Sequence, residues 1–122
     1  MAYCEIVNRR TGIELLDKFI EYLNIHGNCY ARWYAYQLGL PAPLFMHAIE
    51  AFTGLSCSDF MDRYLLLFIT DLLGQTDDRI GEVARRAGFP RPSELSQFLQ
   101  RVCGRTPSQL RREQMSNASA KN

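Results

Sequence analysis

The chain has 122 residues, of which 47% are hydrophobic and 22% are charged, with a formal net charge of +1 at pH 7. This length and composition suit one small globular domain or two small lobes, and they exclude a fibrous or largely disordered chain. The longest apolar run, residues 64–69, is too short to cross a bilayer, and the N-terminal ten residues carry charges where a secretory signal has its apolar core. We therefore expect a soluble, cytoplasmic protein with no membrane partner.

The small net charge hides an uneven distribution along the chain. Residues 1–75 contain 5 Lys and Arg against 8 Asp and Glu, a net charge of −3, whereas residues 76–122 contain 9 against 5, a net charge of +4. Because the phosphates of a nucleic acid attract cations, the C-terminal half is the one predicted to approach such a partner.

The cysteines and histidines indicate no chemistry. Four cysteines, at positions 4, 29, 57 and 103, show neither a Cys-x-x-Cys pair nor a histidine at metal-ligand spacing. Neither a zinc site nor a disulfide framework is expected, and no cofactor is predicted. Cys57 follows the predicted N-cap Ser56, where its pKa could be depressed, but a small residue packed in a first turn is the favoured interpretation. Two histidines and scattered carboxylates form no paired constellation, so an enzyme is not expected.

The first predicted helix covers about residues 12–26, where apolar residues recur at helical spacing. A glycine and an asparagine end it. The next helix, residues 30–38, is unusually aromatic and contains Trp33, Tyr34 and Tyr36. Such rings could stack on nucleic-acid bases, but at helical spacing beside a core helix they more often belong to the core.

Two short helices joined by a glycine turn are predicted over residues 80–103. The first has its apolar residues on one face and stops at Gly88, which suits a left-handed C-terminal cap. Pro90 and Pro92 begin the second helix, which ends at Gly104. Its predicted buried stripe is Leu95, Phe98, Leu99 and Val102. This arrangement is a helix-turn-helix, whose second helix can enter the major groove of DNA.

A capping box and an internal repeat extend this pattern. Thr106 and Gln109 fit the N-cap and N3 positions of a further helix. At an offset of 49 residues, Ala35, Gly39 and Pro41 match Ala84, Gly88 and Pro90. At an offset of 50, Phe45, Ile49, Gly54, Ser56 and Phe60 match Leu95, Leu99, Gly104, Thr106 and Leu110. The chain therefore contains two copies of one unit, the second being one residue longer between its turn and its recognition helix.

The string from Ile80 through Ala84, Gly88 and Phe89 to Gly104, Thr106, Pro107 and Arg111 resembles the signature of the AraC/XylS transcription regulators. The tandem units, with their one-residue difference, are similar to that family's double motif, over residues 12–113. The resemblance implies an all-α fold of about seven helices, with two helix-turn-helix lobes joined by a long central helix. It also implies sequence-specific DNA binding in transcription regulation, in the small stand-alone form without a sensor domain.

The resemblance further implies an N-terminal lobe over residues 1–55, a central linking helix over 56–74, a C-terminal lobe over 75–113 and a flexible tail over 114–122. Ten of the fourteen residues from 60 to 73 are apolar, more than a half-buried helix needs. The family usually has charged residues on the outward face of this helix. The residues predicted there in this chain are Leu65, Leu67, Phe68, Ile69, Thr70 and Asp71.

The resemblance also assigns candidate base-reading residues. On the second recognition helix these are Arg91, Ser93, Ser96 and Gln97. Glutamine can bond adenine with two hydrogen bonds and serine can bond either base edge, but a solvated polar face is the alternative. On the first recognition helix, about residues 43–53, the outward positions fall near Met46, His47 and Glu50. Only His47 is a donor there, and an exposed histidine without a task is the alternative.

The predicted phosphate contacts are arginines of the second lobe, namely Arg101, Arg105, Arg111 and Arg112, with Arg85 and Arg86 on the preceding helix. For the last two a solvated face is an equal alternative. Double-stranded DNA is the predicted partner, and RNA polymerase or another protein is a further candidate. The rival function is a protein interaction module that uses the apolar linking helix, with self-association through Leu65, Leu67 and Phe68.

Overall fold

The computed structural model describes the backbone of residues 13–120 and the side chains of residues 14–116. All regular structure in that range is α-helical, which confirms the predicted fold class. The seven helices are α1 (Ile13–His26), α2 (Ala31–Gln37), α3 (Ala42–Thr53), α4 (Cys57–Gln75), α5 (Ile80–Arg86), α6 (Pro92–Cys103) and α7 (Pro107–Ala120). The chain divides into two compact units, Met1–Met61 and Asp62–Asn122, which we call the first and second units.

Aromatic rings form the centre of the first unit. Phe19 of α1 is fully buried, and its ring centroid lies 5.3 Å from that of Tyr34 in α2 and 4.9 Å from that of Phe45 in α3, both edge to face. The Tyr34 hydroxyl donates a hydrogen bond to the Gly27 carbonyl, which satisfies the one polar atom that this buried ring brings inside. Burial raises the pKa of Tyr34 above its ordinary value.

The prediction that the aromatic residues of α2 belong to the core is confirmed for Tyr34 and wrong for Tyr36. Tyr34 is fully buried, whereas Tyr36 is 80% exposed. Two residues along a helix correspond to a rotation of roughly 200°, so one of the pair must leave the buried face. Trp33 is half-buried, with its ring 4.9 Å from that of His26.

The second unit has a mainly aliphatic core, to which all four of its helices contribute. Leu65 and Ile69 of α4 pack with Val83 of α5 and with Leu95 and Leu99 of α6. The predicted buried stripe of α6 is confirmed for Leu95, Phe98 and Leu99, whereas Val102 is half-buried at its edge. Because α6 packs through this buried apolar stripe, its opposite face is exposed and can contact a ligand.

The two helix-turn-helix turns have the same backbone geometry. Gly39 has φ 74° and Gly88 has φ 87°, left-handed conformations that glycine adopts at little cost. Two equivalent hydrogen bonds close each turn. The glycine N–H donates to the carbonyl three residues earlier, Gly39 to Tyr36 and Gly88 to Arg85, both at 3.1 Å. The next N–H donates to the carbonyl five residues earlier, Leu40 to Ala35 at 3.0 Å and Phe89 to Ala84 at 2.8 Å. The hydrogen bond that spans five residues is characteristic of the Schellman motif at a helix C-terminus. The two turns correspond at an offset of 49 residues.

The hydrogen bonds that begin the recognition helices locate the extra residue of the second unit. The N–H of Phe45 donates to the Pro41 carbonyl at 3.0 Å, and the N–H of Leu95 donates to the Arg91 carbonyl at 3.4 Å, an offset of 50. Pro41 therefore corresponds to Arg91 and not to Pro90, which corrects the pairing predicted from sequence. The additional residue is Pro90, directly after the turn.

Side-chain caps begin two of the later helices as predicted. The Ser56 hydroxyl accepts a hydrogen bond from the N–H of Asp59 at 3.1 Å and begins α4. At the start of α7, Gln109 N–H donates to the Thr106 hydroxyl at 3.1 Å and Thr106 N–H donates to the Gln109 side chain at 2.9 Å. This reciprocal pair is the predicted capping box.

The packing of α4 corrects the prediction about its apolar surface. Leu65 and Ile69 are buried in the second-unit core, and Phe68 packs partly against it. Of the predicted apolar outward residues only Leu67 is well exposed, at 69%. Leu65 is therefore not available to a second copy of the chain, and α4 is apolar chiefly because it supplies the core.

Helix α7 continues to Ala120, although a flexible tail is predicted from residue 114. No glycine or proline follows its first residue, so nothing interrupts the backbone hydrogen bonds. Gln114 lies against Gly74 of α4, where an added Cβ would stand 2.8 Å from the Gln114 Cβ. The absence of a side chain at Gly74 therefore lets α4 and α7 approach closely.

Cys57 is a packed residue, as favoured from its sequence position. Its side chain is 2% exposed, and burial raises the pKa of its thiol to about 11. A depressed pKa is therefore wrong for this residue, because the cost of burying a thiolate outweighs its position at a helix start.

Candidate nucleic-acid interface

Helix α6 presents a continuous polar stripe opposite its buried face. Ser93, Ser96, Gln97 and Gln100 are all exposed, at intervals of three and four residues that place them on one side of the helix. None of the four side chains bonds to another residue in the described part of the chain. Their amides and hydroxyls are therefore free to bond a ligand, and the stripe itself contains neither cation nor anion.

Two of the predicted DNA-contacting arginines have no ion-pair partner among the described residues, and both are exposed. Arg91 is the N-cap residue of α6 and adjoins the polar stripe. Arg112 lies in the second turn of α7. These two guanidinium groups can reach an anion without breaking an existing contact.

Three further predicted arginines form exposed ion pairs with carboxylates of the second unit. Arg85 pairs with Glu82 on α5, Arg86 pairs with Asp78 at 2.9 Å, and Arg105 pairs with Glu113 at 2.9 Å. The hydrogen bond from Arg85 lowers the pKa of Glu82. Such surface pairs contribute only about 0–1 kcal/mol each, so a phosphate group can displace the carboxylate at little cost.

Arg101 is held more firmly, although it also points from the exposed side of α6. Its two terminal nitrogens donate to both oxygens of Asp62 at 2.9 and 3.2 Å, and its guanidinium lies 5.5 Å from the centre of the Phe98 ring. The hydrogen bond to Asp62 raises the pKa of Arg101. The bidentate pair joins α6 to α4, so Arg101 must leave this carboxylate before it can bind a phosphate.

Arg111 has a structural contact that its predicted phosphate role did not include. Its Nε donates to the Leu73 carbonyl at 2.9 Å and its Nη2 donates to the Thr76 carbonyl at 3.2 Å. Both acceptors lie at the C-terminal end of α4, where carbonyl groups have no partner within the helix. The Arg111 guanidinium, which projects from α7, therefore caps the C-terminal end of α4. Its contact with a phosphate stays a prediction.

Solved structures with this arrangement come from several regulators. The C-terminal domain of AraT, a response regulator from Geobacillus stearothermophilus, matches with a TM-score of 0.69 at 20% identity, over 81% of this chain and 84% of that one. The DNA-binding domain of AdpA, solved with a target DNA, matches with a TM-score of 0.70 at 22% identity, over 87% and 94%. An AraC-type regulator from Chromobacterium violaceum matches with a TM-score of 0.65 at 20% identity, over 83% and 88%. At these identities the likeness shows a shared fold.

The sequence also identifies the family of the chain. A family model described as a helix-turn-helix domain matches residues 34–113, which include both turns and both recognition helices. The chain belongs to the AraC-type helix-turn-helix family. This membership makes it a DNA-binding transcription regulator and disfavours the interaction-module alternative. No curated protein matched the chain in sequence.

The two units of this AraC-type domain differ at equivalent surface positions. On the recognition helices, at the offset of 50, Ser96, Gln97 and Gln100 correspond to Met46, His47 and Glu50. On the preceding helices, at the offset of 49, Arg85 and Arg86 correspond to Tyr36 and Gln37. Met46 is 42% exposed and His47 is exposed, so both predicted first-unit residues reach the surface. At these positions, however, the first-unit recognition helix has no hydroxyl or amide, and the preceding helix has no guanidinium.

Cations are scarce throughout the described part of the first unit. Lys18 on α1 and Arg32 on α2 are the basic residues of positions 13–61, against five acidic ones. Arg32 lies with its guanidinium carbon 5.2 Å from the centre of the Tyr30 ring. The recognition helix α3 contains neither lysine nor arginine. A DNA backbone would therefore find little attraction on this AraC-type repeat.

The exposed apolar surface lies mainly on the first unit, and not on α4 as the sequence predicts. Among the described residues, the large exposed hydrophobic side chains of the first unit are Ile25, Tyr30, Tyr36, Leu44, Met46 and Phe52. The second unit exposes Leu67 and Met115. Sequence reasoning missed this surface because it matched the repeats by their buried residues. A comparison of their exposed positions would have found it.

Two further findings concern the part of the chain that the structure describes. No helix there is long and apolar enough to cross a membrane. No group of three or more metal-ligating side chains comes together there either. Neither finding changes the assignment of the polar face of α6 as the candidate interface.

Proposed function

We propose that the chain binds double-stranded DNA mainly through its second unit. Helix α6 lies in the major groove, with Gln97 reading an adenine and with Ser93 and Ser96 bonding neighbouring base edges. Arg91, beside the N-terminus of α6, contacts a base or a nearby phosphate. The first unit completes the AraC-type fold but contributes little to base recognition.

The observation that carries this proposal is the contrast between equivalent positions in the two units. Gln97 and His47 occupy the same position of the repeat, and so do Ser96 and Met46. The Gln97 amide carries a donor and an acceptor side by side and can make two hydrogen bonds with one adenine, whereas the two nitrogens of the His47 imidazole point in different directions and can make only one with the same base edge. The Ser96 hydroxyl can donate and accept, whereas the Met46 thioether has no donor. The AdpA domain, which was solved in complex with a target DNA, supports the DNA-binding role of the shared fold.

Phosphate binding in this proposal comes from arginines that are free or weakly paired. Arg112 binds a phosphate directly, Arg91 contacts a base or a phosphate, and Arg85, Arg86 and Arg105 exchange their carboxylate partners for phosphate oxygens. Each such contact releases counterions and strengthens binding at low salt. Arg101 and Arg111 contribute chiefly by holding α6 and α7 against α4, since both already have two hydrogen bonds inside the second unit.

As a regulator of transcription the protein would act in the cytoplasm. The exposed hydrophobic side chains of the first unit are where a protein partner such as RNA polymerase would find the most apolar contact area. The burial of Leu65 and Ile69 removes the main support for an interaction module built on α4.

Paired alanine substitutions test the inequality of the two units. Gln97→Ala should reduce discrimination at its base pair by about 1–3 kcal/mol, because the adenine loses both hydrogen bonds. His47→Ala, at the equivalent position of α3, should change discrimination by less than about 0.5 kcal/mol. Quantitative competition between matched and single-base-substituted duplexes measures both values.

Each substitution is the control for the other, because the Gln97 and His47 side chains are both exposed and neither substitution opens a cavity that would destabilise the fold. Equal losses from the two variants, or a larger loss from His47→Ala, would contradict the assignment of base reading to the second unit. Absence of any sequence preference in the unmodified protein would contradict the proposed function as a whole.

A further inference from the structure

We infer that Gln100 reads DNA together with Gln97, so that the preferred site of the second unit contains two adjacent adenines on one strand. This inference rests on the proposed function, since it requires α6 to lie in the major groove. It adds a base-reading residue that sequence reasoning did not include, and it names the kind of DNA site that the helix selects.

The geometry of α6 makes the two glutamines neighbours. They are three residues apart, which corresponds to a rise of roughly 4.5 Å along the helix and a position on the same side of it. Successive bases on a DNA strand are separated by about 3.4 Å. A helix that lies along the groove therefore brings two such side chains to consecutive base pairs.

Both amides are available for this task. Gln97 and Gln100 are exposed, and neither side chain bonds to another described residue. The backbone carbonyl of Gln100 accepts a hydrogen bond from the N–H of Gly104, the C-cap residue of α6, at 3.1 Å. The backbone is therefore helical from Gln100 to the end of α6. The side chain therefore projects from a rigid turn.

The chemistry of the stripe selects adenine over guanine. A glutamine amide accepts from adenine N6 and donates to adenine N7, whereas guanine O6 and N7 are best met by the two donors of arginine or by lysine. No cation stands on the stripe between Ser93 and Gln100. The nearest one on α6, Arg101, is engaged by both oxygens of Asp62. Two successive amides thus favour two successive adenines, and the serines beside them accept either base edge.

Selection from a double-stranded DNA library with a randomised core tests this inference. The full chain is compared with Gln97→Ala, Gln100→Ala and the control Ser108→Ala, an exposed residue in the first turn of α7. The unmodified protein should enrich an adjacent adenine pair. Gln97→Ala should lose the preference at one adenine and Gln100→Ala at its neighbour, each by about 5- to 140-fold. Ser108→Ala should keep both preferences.

A substitution that gains a new preference makes the test independent of any loss of folding. Gln100→Arg should change the enriched base from adenine to guanine at the position that Gln100→Ala relaxes, because arginine forms two bonds with guanine. Three outcomes would overturn the inference: enrichment of guanine by the unmodified protein at these positions, an unchanged preference in Gln100→Ala, or an equal loss of affinity for all sequences. If the unmodified protein enriches no sequence, the proposed function fails before this inference is reached.

Discussion

Replacing Phe19 by alanine should lower the free energy of unfolding by about 3–5 kcal/mol, the usual cost of removing a large ring from a packed core. Phe19 is fully buried, and its ring meets those of Tyr34, Phe45 and Phe60 at centroid distances of 5.3, 4.9 and 5.8 Å. Its loss therefore leaves a cavity at the point where α1, α2 and α3 meet. Urea unfolding followed by fluorescence of Trp33, the single tryptophan of the chain, reports on this unit.

The matched control is Ile25→Ala on the same helix. Ile25 is 64% exposed, so its substitution should change the free energy of unfolding by no more than about 0.5 kcal/mol. Similar destabilisation by the two variants would show that α1 does not pack through Phe19 as described.

Replacing Arg111 by alanine should lower the free energy of unfolding by about 2–4 kcal/mol. The substitution removes two hydrogen bonds from a charged donor, each worth about 1.5–3 kcal/mol, and leaves the carbonyls of Leu73 and Thr76 without this partner. It also removes a cation from the C-terminal end of α4, where the helix dipole favours positive charge. Denaturant unfolding followed by circular dichroism measures the loss.

The neighbouring Arg112→Ala separates capping from phosphate binding. Arg112 is exposed and has no ion-pair partner among the described residues, so its loss should change stability by no more than about 0.5 kcal/mol. It should make the slope of log K against log salt shallower by about 0.9, because one phosphate contact disappears. If Arg111→Ala left stability unchanged and Arg112→Ala reduced it, the assigned roles would be reversed.

Local signals made much of the helical framework predictable. Gly88 and Gly104 end helices because the backbone there is left-handed, and Thr106 with Gln109 forms a cap within four residues. Such features depend on neighbours in sequence, so their residue types indicate the structure directly. The internal repeat made the likeness of the two units predictable, since equivalent residues recur at offsets of 49 and 50.

Features that depend on distant contacts were not predictable in the same way. Leu65 and Leu67 are both leucines in an apolar helix, and only the packing of α5 and α6 decides that the first is buried and the second exposed. The partners of Arg101 and Arg111 lie 39 and 38 residues away in the chain, so their capping and pairing roles have no local pattern. A surface arginine in the sequence can equally be a phosphate contact or a structural link.

The candidate interface was partly predictable. Ser93, Ser96 and Gln97 were assigned through the family resemblance, and the structure finds them exposed on one side of α6. Gln100 extends the same stripe by one turn, and its exposure identifies it. Their contacts with bases stay a prediction, which the alanine substitutions and the site selection test.

The most direct test of the central claim, that one unit reads the DNA, is base-interference mapping of the complex between the full chain and its preferred duplex. Bases are modified singly, and the positions at which modification prevents binding are identified. We expect one cluster of interfering positions within a single major-groove segment, which corresponds to α6. A second cluster of comparable strength in a separate major-groove segment would show that both units read bases and would contradict the account.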